Sequence, residues 1–182
     1  MQVRDALKKA FPVILLTVVV GICVTILTGV GGITLPRIEA LEKQKIQTML
    51  SEMFPDMTEY DFEDEIYTIY REEQRLGYAF IAVGKGYGGD ISILVGLEDE
   101  ATIRGITVIS HTETPGLGSK ITEDFFTAQF LSTGVDDVAL RRDGGQIDSI
   151  TGATISARAV VEAVRITALE KIDLIRGNGE GE

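Results

Sequence analysis
The segment Asp148-Ser149-Ile150-Thr151-Gly152-Ala153-Thr154 places three hydroxyls and an acid around a small turn. An apolar pattern of helical spacing follows directly, from Ile155 to Ile175. A hydroxyl at a helix entry lies where free backbone N–H groups and the positive end of the helix dipole converge, which suits a phosphate. Capping alone explains the same turn, because Thr is a good N-cap and Gly relaxes the backbone. Read by itself, the segment leaves both open.

A second loop, His111-Thr112-Glu113-Thr114-Pro115-Gly116-Leu117-Gly118, follows a strand-like run that ends near Ile109. Pro115 stiffens it, and the glycines on either side of Leu117 remove side chains. Such a backbone can approach a flat ring closely. Leu117 can lie on the ring, while Thr114 and exposed N–H groups can hydrogen-bond its polar edge. A generic Pro-Gly turn accounts for the loop as well.

Other centres are poorly supplied. Cys23 is the one cysteine and His111 the one histidine, so neither a thiolate cluster nor a His-based metal site is expected. Gly84-Lys85-Gly86-Tyr87-Gly88-Gly89 spells Gly-x-Gly-x-x-Gly, but a dinucleotide fingerprint must join a strand to a helix. Here Ile91 to Leu97 reads as a strand, so a glycine-rich hairpin turn is expected. Gly116-Leu117-Gly118-Ser119-Lys120 lacks the Gly-Lys pair of a phosphate-binding P-loop.

These loops need a scaffold. Ile66 to Arg71, Gly77 to Val83, Ile91 to Leu97 and Thr102 to Ile109 are rich in β-branched and aromatic residues. Their close spacing without intervening helices predicts an antiparallel meander. Ile38, Leu41, Ile46, Met49, Leu50 and Met53 recur at helical spacing, and Phe54-Pro55 should stop that helix. Glu59 to Glu65 reads as a solvated loop or strand entry. A short helix is expected over Ile121 to Leu131, short strands over Val138 to Arg141 and Gln146 to Ile150, and a frayed tail from Gly177. The fold class is α+β: an antiparallel sheet flanked by helices, with a single N-terminal transmembrane helix.

That membrane helix is read from residues 10–36, which contain no charged residue. Phe11 to Val30 is the most apolar part, and about 20 helical residues match a bilayer's hydrocarbon core. No Ala-x-Ala-like cleavage site follows, so an uncleaved anchor is expected rather than a signal peptide. Arg4, Lys8 and Lys9 against Asp5 make the first nine residues basic, and a basic flank stays in the cytoplasm. The expected organisation is a cytoplasmic N-terminus at 1–9, the anchor at 10–36 and an extracytoplasmic domain at 37–182. The whole chain carries −11, which disfavours nucleic acid as a partner.

The two loops together change the odds. His-x-Glu-Thr-Pro-Gly-Leu-Gly followed by Asp-x-x-Thr-Gly-Ala-Thr resembles the FMN-binding domain of RnfG and NqrC. These are the covalently flavinylated subunits of the Rnf electron-transport complex and of the sodium-pumping NADH:quinone reductase. The order of the motifs and the single anchor ahead of them agree, and the Tyr87-Gly88-Gly89-Asp90-Ile91 turn is similar. The likeness extends over most of the chain from the anchor to the last helix.

The resemblance implies FMN joined through its phosphate to Thr154 as a phosphoester, attached by a flavin transferase. Asp148 matches the acid that opens the transferase's recognition motif. Thr151, Gly152 and Ala153 match the turn beside the phosphate. Thr114, Gly116, Leu117 and Gly118 match the loop beside the isoalloxazine. Glu113 and His111 match the motif without an assigned role. Lys120 could stabilise a reduced flavin or simply be solvated.

By the same resemblance, the chain would relay electrons in an Rnf-type complex of the inner membrane. That complex passes electrons between ferredoxin and NAD, coupled to sodium or proton translocation. Other membrane and redox subunits would be the partners, and the chain would have no complete activity alone. Compact length favours RnfG over the longer NqrC-like chains. An NqrC-like subunit and an anchored extracytoplasmic flavin-binding regulatory module are the alternatives.

Overall fold
The computed structural model describes the backbone of residues 2–179 and the side-chain surroundings of residues 15–26, 28 and 41–177. Helix α1 (Gln2–Met53) is followed by strands β1 (Glu59–Glu63), β2 (Ile66–Arg71), β3 (Gln74–Lys85), β4 (Asp90–Leu97), β5 (Thr102–His111) and the short β6 (Thr133–Gly134). A one-turn helix α2 (Asp124–Thr127) lies between β5 and β6, and the long α3 (Thr154–Gly179) closes the chain. Residues 1–45 and 46–182 form two separate compact units. The anchor expected at 10–36 falls about half outside the residues whose side chains are described. Among the described residues, no helix is long and apolar enough to cross a membrane.

The second unit is the expected meander: six antiparallel strands in the order β1-β2-β3-β4-β5-β6. Alternation sorts its residues between two faces. The cross-strand pairs Tyr78↔Leu97, Phe80↔Val95, Ala82↔Ile93 and Gly84↔Ile91 all face α3. There they meet Val160, Val161, Val164, Ala168 and Ile172. The opposite face carries Ile69, Ala79 and Leu94 against Leu50 and Phe54 at the end of α1. Covered on both sides, β4 is buried almost throughout, so its sequence reads as a continuous apolar run rather than an alternating one.

The ends of these elements have local causes. α1 stops at Met53 ahead of Pro55, as expected, and Arg104 Nε donates to the freed Met53 carbonyl at 2.7 Å. The same guanidinium stacks 4.8 Å from the Phe54 ring centroid. Between β4 and β5, Asp99 Oδ1 accepts the N–H groups of Ala101 and Thr102 at 2.8 and 2.7 Å. Those bonds hold its carboxyl below the ordinary value.

The β1–β2 turn is less expected. Asp64 and Glu65 both adopt left-handed φ, 51° and 62°, in a two-residue hairpin. Asp64 suits the first position of such a turn, but the second normally asks for Gly, which makes Glu65 the unusual residue. Lys171 of α3 restrains it: its buried ammonium donates to the Asp64 carbonyl and pairs with Glu65 Oε2, each at 3.0 Å.

Two expectations fail between β5 and α3. The helix expected over Ile121 to Leu131 is broken at Glu123, whose backbone is extended at ψ 146°. In its place stand a tight turn ending at Thr122, α2 and a second tight turn at Ala128–Phe130, with Ile121, Phe126 and Phe130 all buried. The strands expected at Val138–Arg141 and Gln146–Ile150 reduce to one isolated parallel bridge, Leu140↔Ile147. Gly145 turns the chain back so tightly that its N–H donates to the Leu140 carbonyl at 3.1 Å, leaving no length for a ladder.

Lys171→Met keeps the buried stem and removes the donor. We expect a loss of about 1–3 kcal/mol in chemical denaturation, the range for an orphaned buried acceptor. Amide exchange should rise selectively at Asp64–Ile66. An unchanged midpoint would show that the turn holds itself.

Candidate functional site
α3 begins at Thr154, and its first ladder bond runs from the Ala157 N–H to the Ala153 carbonyl at 3.0 Å. Ala153 is therefore the N-cap residue, and an alanine offers no side-chain acceptor. The N–H groups of Thr154, Ile155 and Ser156 precede the ladder, as in the first turn of any helix. Thr154 thus does not cap the helix; it sits at its first position, half-buried. Gly152, at φ 81°, makes the left-handed step that brings the chain into α3.

The Thr114–Gly118 loop closes on itself. The Thr114 carbonyl accepts from the Leu117 and Ser119 N–H groups, each at 3.2 Å, and the Gly116 N–H donates to Ser119 Oγ at 2.9 Å. This corrects the expectation of free N–H groups along the loop, since those of Gly116 and Leu117 are already engaged. Gly116 reverses the chain at φ 74°.

The two motifs, about forty residues apart in sequence, meet in a cleft of about 490 Å³. Thr114, Leu117 and Gly118 line it from the loop, and Gly152, Ala153 and Thr154 from the turn. Its size lies within the range of small-molecule pockets. Gly116, Thr151 and Asp148 are not among its lining residues; the first two shape the turns behind it.

Three more side chains belong to the cleft without having been anticipated: Tyr87, Ile155 and Ser156. Tyr87 is 75% exposed, Ile155 58% and Leu117 48%, an unusual concentration of open apolar surface around one opening. Tyr87 stands at the tip of the β3–β4 hairpin, where the Gly86 N–H donates to the Gly89 carbonyl at 2.8 Å. The glycine-rich segment is thus a hairpin turn, as expected. An anion-receptive helix start beside an open apolar wall fits a phosphate joined to a flat ring.

Glu113 also lines the cleft, yet it is only 5% exposed. Its Oε1 accepts the Gly88 N–H at 2.9 Å and its Oε2 accepts the Ser156 hydroxyl at 2.5 Å. His111 Nδ1 accepts the Glu113 N–H at 3.2 Å.

Asp148 lies outside, fully engaged. Arg141 Nε and Nη2 donate to its two carboxyl oxygens at 2.7 and 3.2 Å, and Gln129 Oε1 accepts its N–H at 2.6 Å. The hydrogen bond from Arg141 holds the Asp148 carboxyl below the ordinary carboxylate value.

An antiparallel meander backed by one long helix, with this cleft at the helix N-terminus, defines an FMN-binding domain. That family matches residues 86–168, a span containing both motifs. The chain is 33% identical to the G subunit of the ion-translocating oxidoreductase complex of Pasteurella multocida, over 91% of this chain and 94% of that protein. It belongs to the family of these G subunits.

A shorter match to the G subunit of the same complex in Pseudoalteromonas atlantica is 47% identical over 46% of this chain and 42% of that one. Among solved structures, the C subunit of a Na(+)-translocating NADH-quinone reductase from Parabacteroides distasonis shares the fold. Its TM-score is 0.50 at 22% identity, covering 59% of this chain and 61% of that one.

The Asp148 pair has a definite pH sign. A depressed folded-state pKa contributes stability above the unfolded value and loses it as pH falls through the folded one. Arg141→Gln should therefore return the Asp148 carboxyl toward its ordinary value in a carbon-detected NMR titration. Titration unchanged by the substitution would refute the pairing in solution.

Proposed function
We propose that this chain holds FMN as a phosphoester on Thr154 and relays electrons within a membrane-bound ion-translocating oxidoreductase complex. One observation carries the reading: Thr154 opens a helix whose N-cap, Ala153, has no capping side chain, and it does so inside an apolar cleft. Bound FMN supplies reversible one- and two-electron transfer, and the protein supplies binding and orientation. The N–H groups at the start of α3 meet the phosphate charge. Leu117, Tyr87 and Ile155 exclude water from the ring, and the Thr114 hydroxyl is a donor and acceptor for its polar edge. Thr151, Gly152 and Ala153 fix the turn, while Gly116 and Gly118 shape the opposing loop.

A covalent tether makes retention independent of affinity, which matters outside the cytoplasm, where a released cofactor is lost. Maturation then requires a flavin transferase. Asp148 is its recognition acid in this proposal, presented on the folded surface by Arg141 and Gln129. The other membrane and redox subunits of the complex are the electron partners, consistent with relatives named as subunits of one.

Residues 10–36 are the proposed anchor, with 1–9 cytoplasmic and 37–182 extracytoplasmic. The absence of charge from that segment supports it. So do the outward apolar side chains of Leu16, Ile22 and Ile26 on α1, each more than half exposed.

Coexpression with a flavin transferase should give a chain whose Thr154 peptide gains the mass of one esterified FMN. Its band should fluoresce after denaturing electrophoresis, and Thr154→Ala should lose both signals. Equal fluorescence from the two chains would refute the attachment site. Fused to the C-terminus, a reporter active only outside the cytoplasm should be active; activity of a cytoplasmic reporter there would overturn the topology.

A further inference from the structure
Three parts of the chain surround the Glu113 side chain. The hairpin tip reaches it through the Gly88 N–H, the first turn of α3 through the Ser156 hydroxyl, and the Thr114–Gly118 loop is its own continuation. The packing leaves no slack. A Cβ on Gly86 would collide with Glu113 Oε1, and one on Gly118 would collide with Oε2 and stand 2.9 Å from Ser156 Oγ. Thr112 Oγ1 closes the remaining side by donating to the Gly88 carbonyl at 3.0 Å. Buried polar groups are costly unless bonded, and both oxygens of this one are bonded.

Neither donor, the Gly88 N–H nor the Ser156 hydroxyl, is engaged by regular structure. Gly88 lies in a turn outside the strand ladder, and Ser156 lies in the helix's first turn, where intrahelical bonds are missing. We infer that Glu113 is the positioning residue of the cleft. Its carboxyl group sets the separation between the hairpin tip bearing Tyr87 and the helix start bearing Thr154. Besides it, the tip is held by the Thr112 hydroxyl on the Gly88 carbonyl and the helix by its packing at Gly84, and neither joins the tip to the helix start directly. This inference rests on the FMN reading only for what the cleft contains; the latch itself is a property of the chain.

The test uses the full-length chain in detergent, with Thr154→Ala as background so that no ester can form. Amide exchange is followed at residues 86–89. Glu113→Ala should speed exchange there roughly tenfold or more, since local openings report local contacts. Glu113→Gln retains an oxygen for the Gly88 N–H and should stay within about threefold. Ile93→Ala, a core change outside the lining of the cleft, should lower the melting temperature without selective exchange at the tip.

Should Glu113→Ala fail to fold, Ser156→Ala decides, because it removes one arm only and should give an intermediate, roughly threefold increase. Unchanged tip exchange in Ser156→Ala and in any folded Glu113→Ala would overturn the inference. So would equal loosening in Ile93→Ala.

In the transferase-matured chain with Thr154 restored, Glu113→Ala should retain the FMN mass but shift the flavin absorption band and midpoint potential, and Ile93→Ala should shift neither. A wild-type chain without the FMN mass would refute the cofactor reading, while the exchange data would still decide the latch.

Discussion
α3 lies so close to β3 that Gly84 has no room for a side chain: a Cβ there would collide with the Ala159 carbonyl and stand 3.1 Å from the Ala163 Cβ. Small residues on both surfaces allow this contact, and the cleft depends on it. A side chain at Gly84, or a larger one at Ala163, would lift the first half of the helix from the sheet. Thr154 and Ser156 would then move away from the loop that follows β5. The seat also sorts the core, because the apolar side chains of β3, β4 and β5 interdigitate with the valines of α3 only at this separation. Apolar burial thereby supplies the stability, and the glycine–alanine contact supplies the geometry.

The sequence carries the sheet more openly than the cleft. Each of β2 to β5 is signalled by its own β-branched run, bounded by turn residues a few positions away. Half-burial gives β3 a readable alternation, while β4, covered on both faces, stays legible through composition alone. Residues 118–150 are different. Their apolar side chains reach the core from short turns, so no period of 2 or 3.6 is maintained, and apolar content at Val138 and Ile147 suggests strands where only a bridge forms. A local pattern cannot separate a buried turn from a buried strand of the same length.

The residues brought to the cleft were legible in the same uneven way. The two motifs were visible because their spelling is local, and seven of their residues do line one cavity. Tyr87 stands in a turn that already resembled the family's without pointing to the cleft, and Ser156 had no signal of its own, because it matters through a neighbour across the fold. The Ser156–Glu113 bond spans 43 residues and the Lys171–Asp64 bond 107, and nothing in either local sequence announces a partner. The glycines 84, 86 and 88 did give a signal, but one whose spelling matches a dinucleotide loop. In the fold they mark three separate close approaches, to α3, to Glu113 and to the Thr112 carbonyl.

The position of Ala153 separates capping from anion binding. Thr, Ser or Asp at the N-cap would satisfy a first-turn N–H at once, and Ala there gives up about 0.5–2 kcal/mol of helix stability. Hydroxyls lie on both sides of Ala153, at Thr151 and Thr154, yet neither occupies the capping position. The third nearby hydroxyl, Ser156, is turned to Glu113 and does not cap either. The residues of the helix start, Thr154, Ile155 and Ser156, line the cleft. A helix start left this way stores a demand for an acceptor. A phosphate ester on the adjacent Thr154 would meet that demand with a full charge, where a capping hydroxyl could offer only one neutral oxygen.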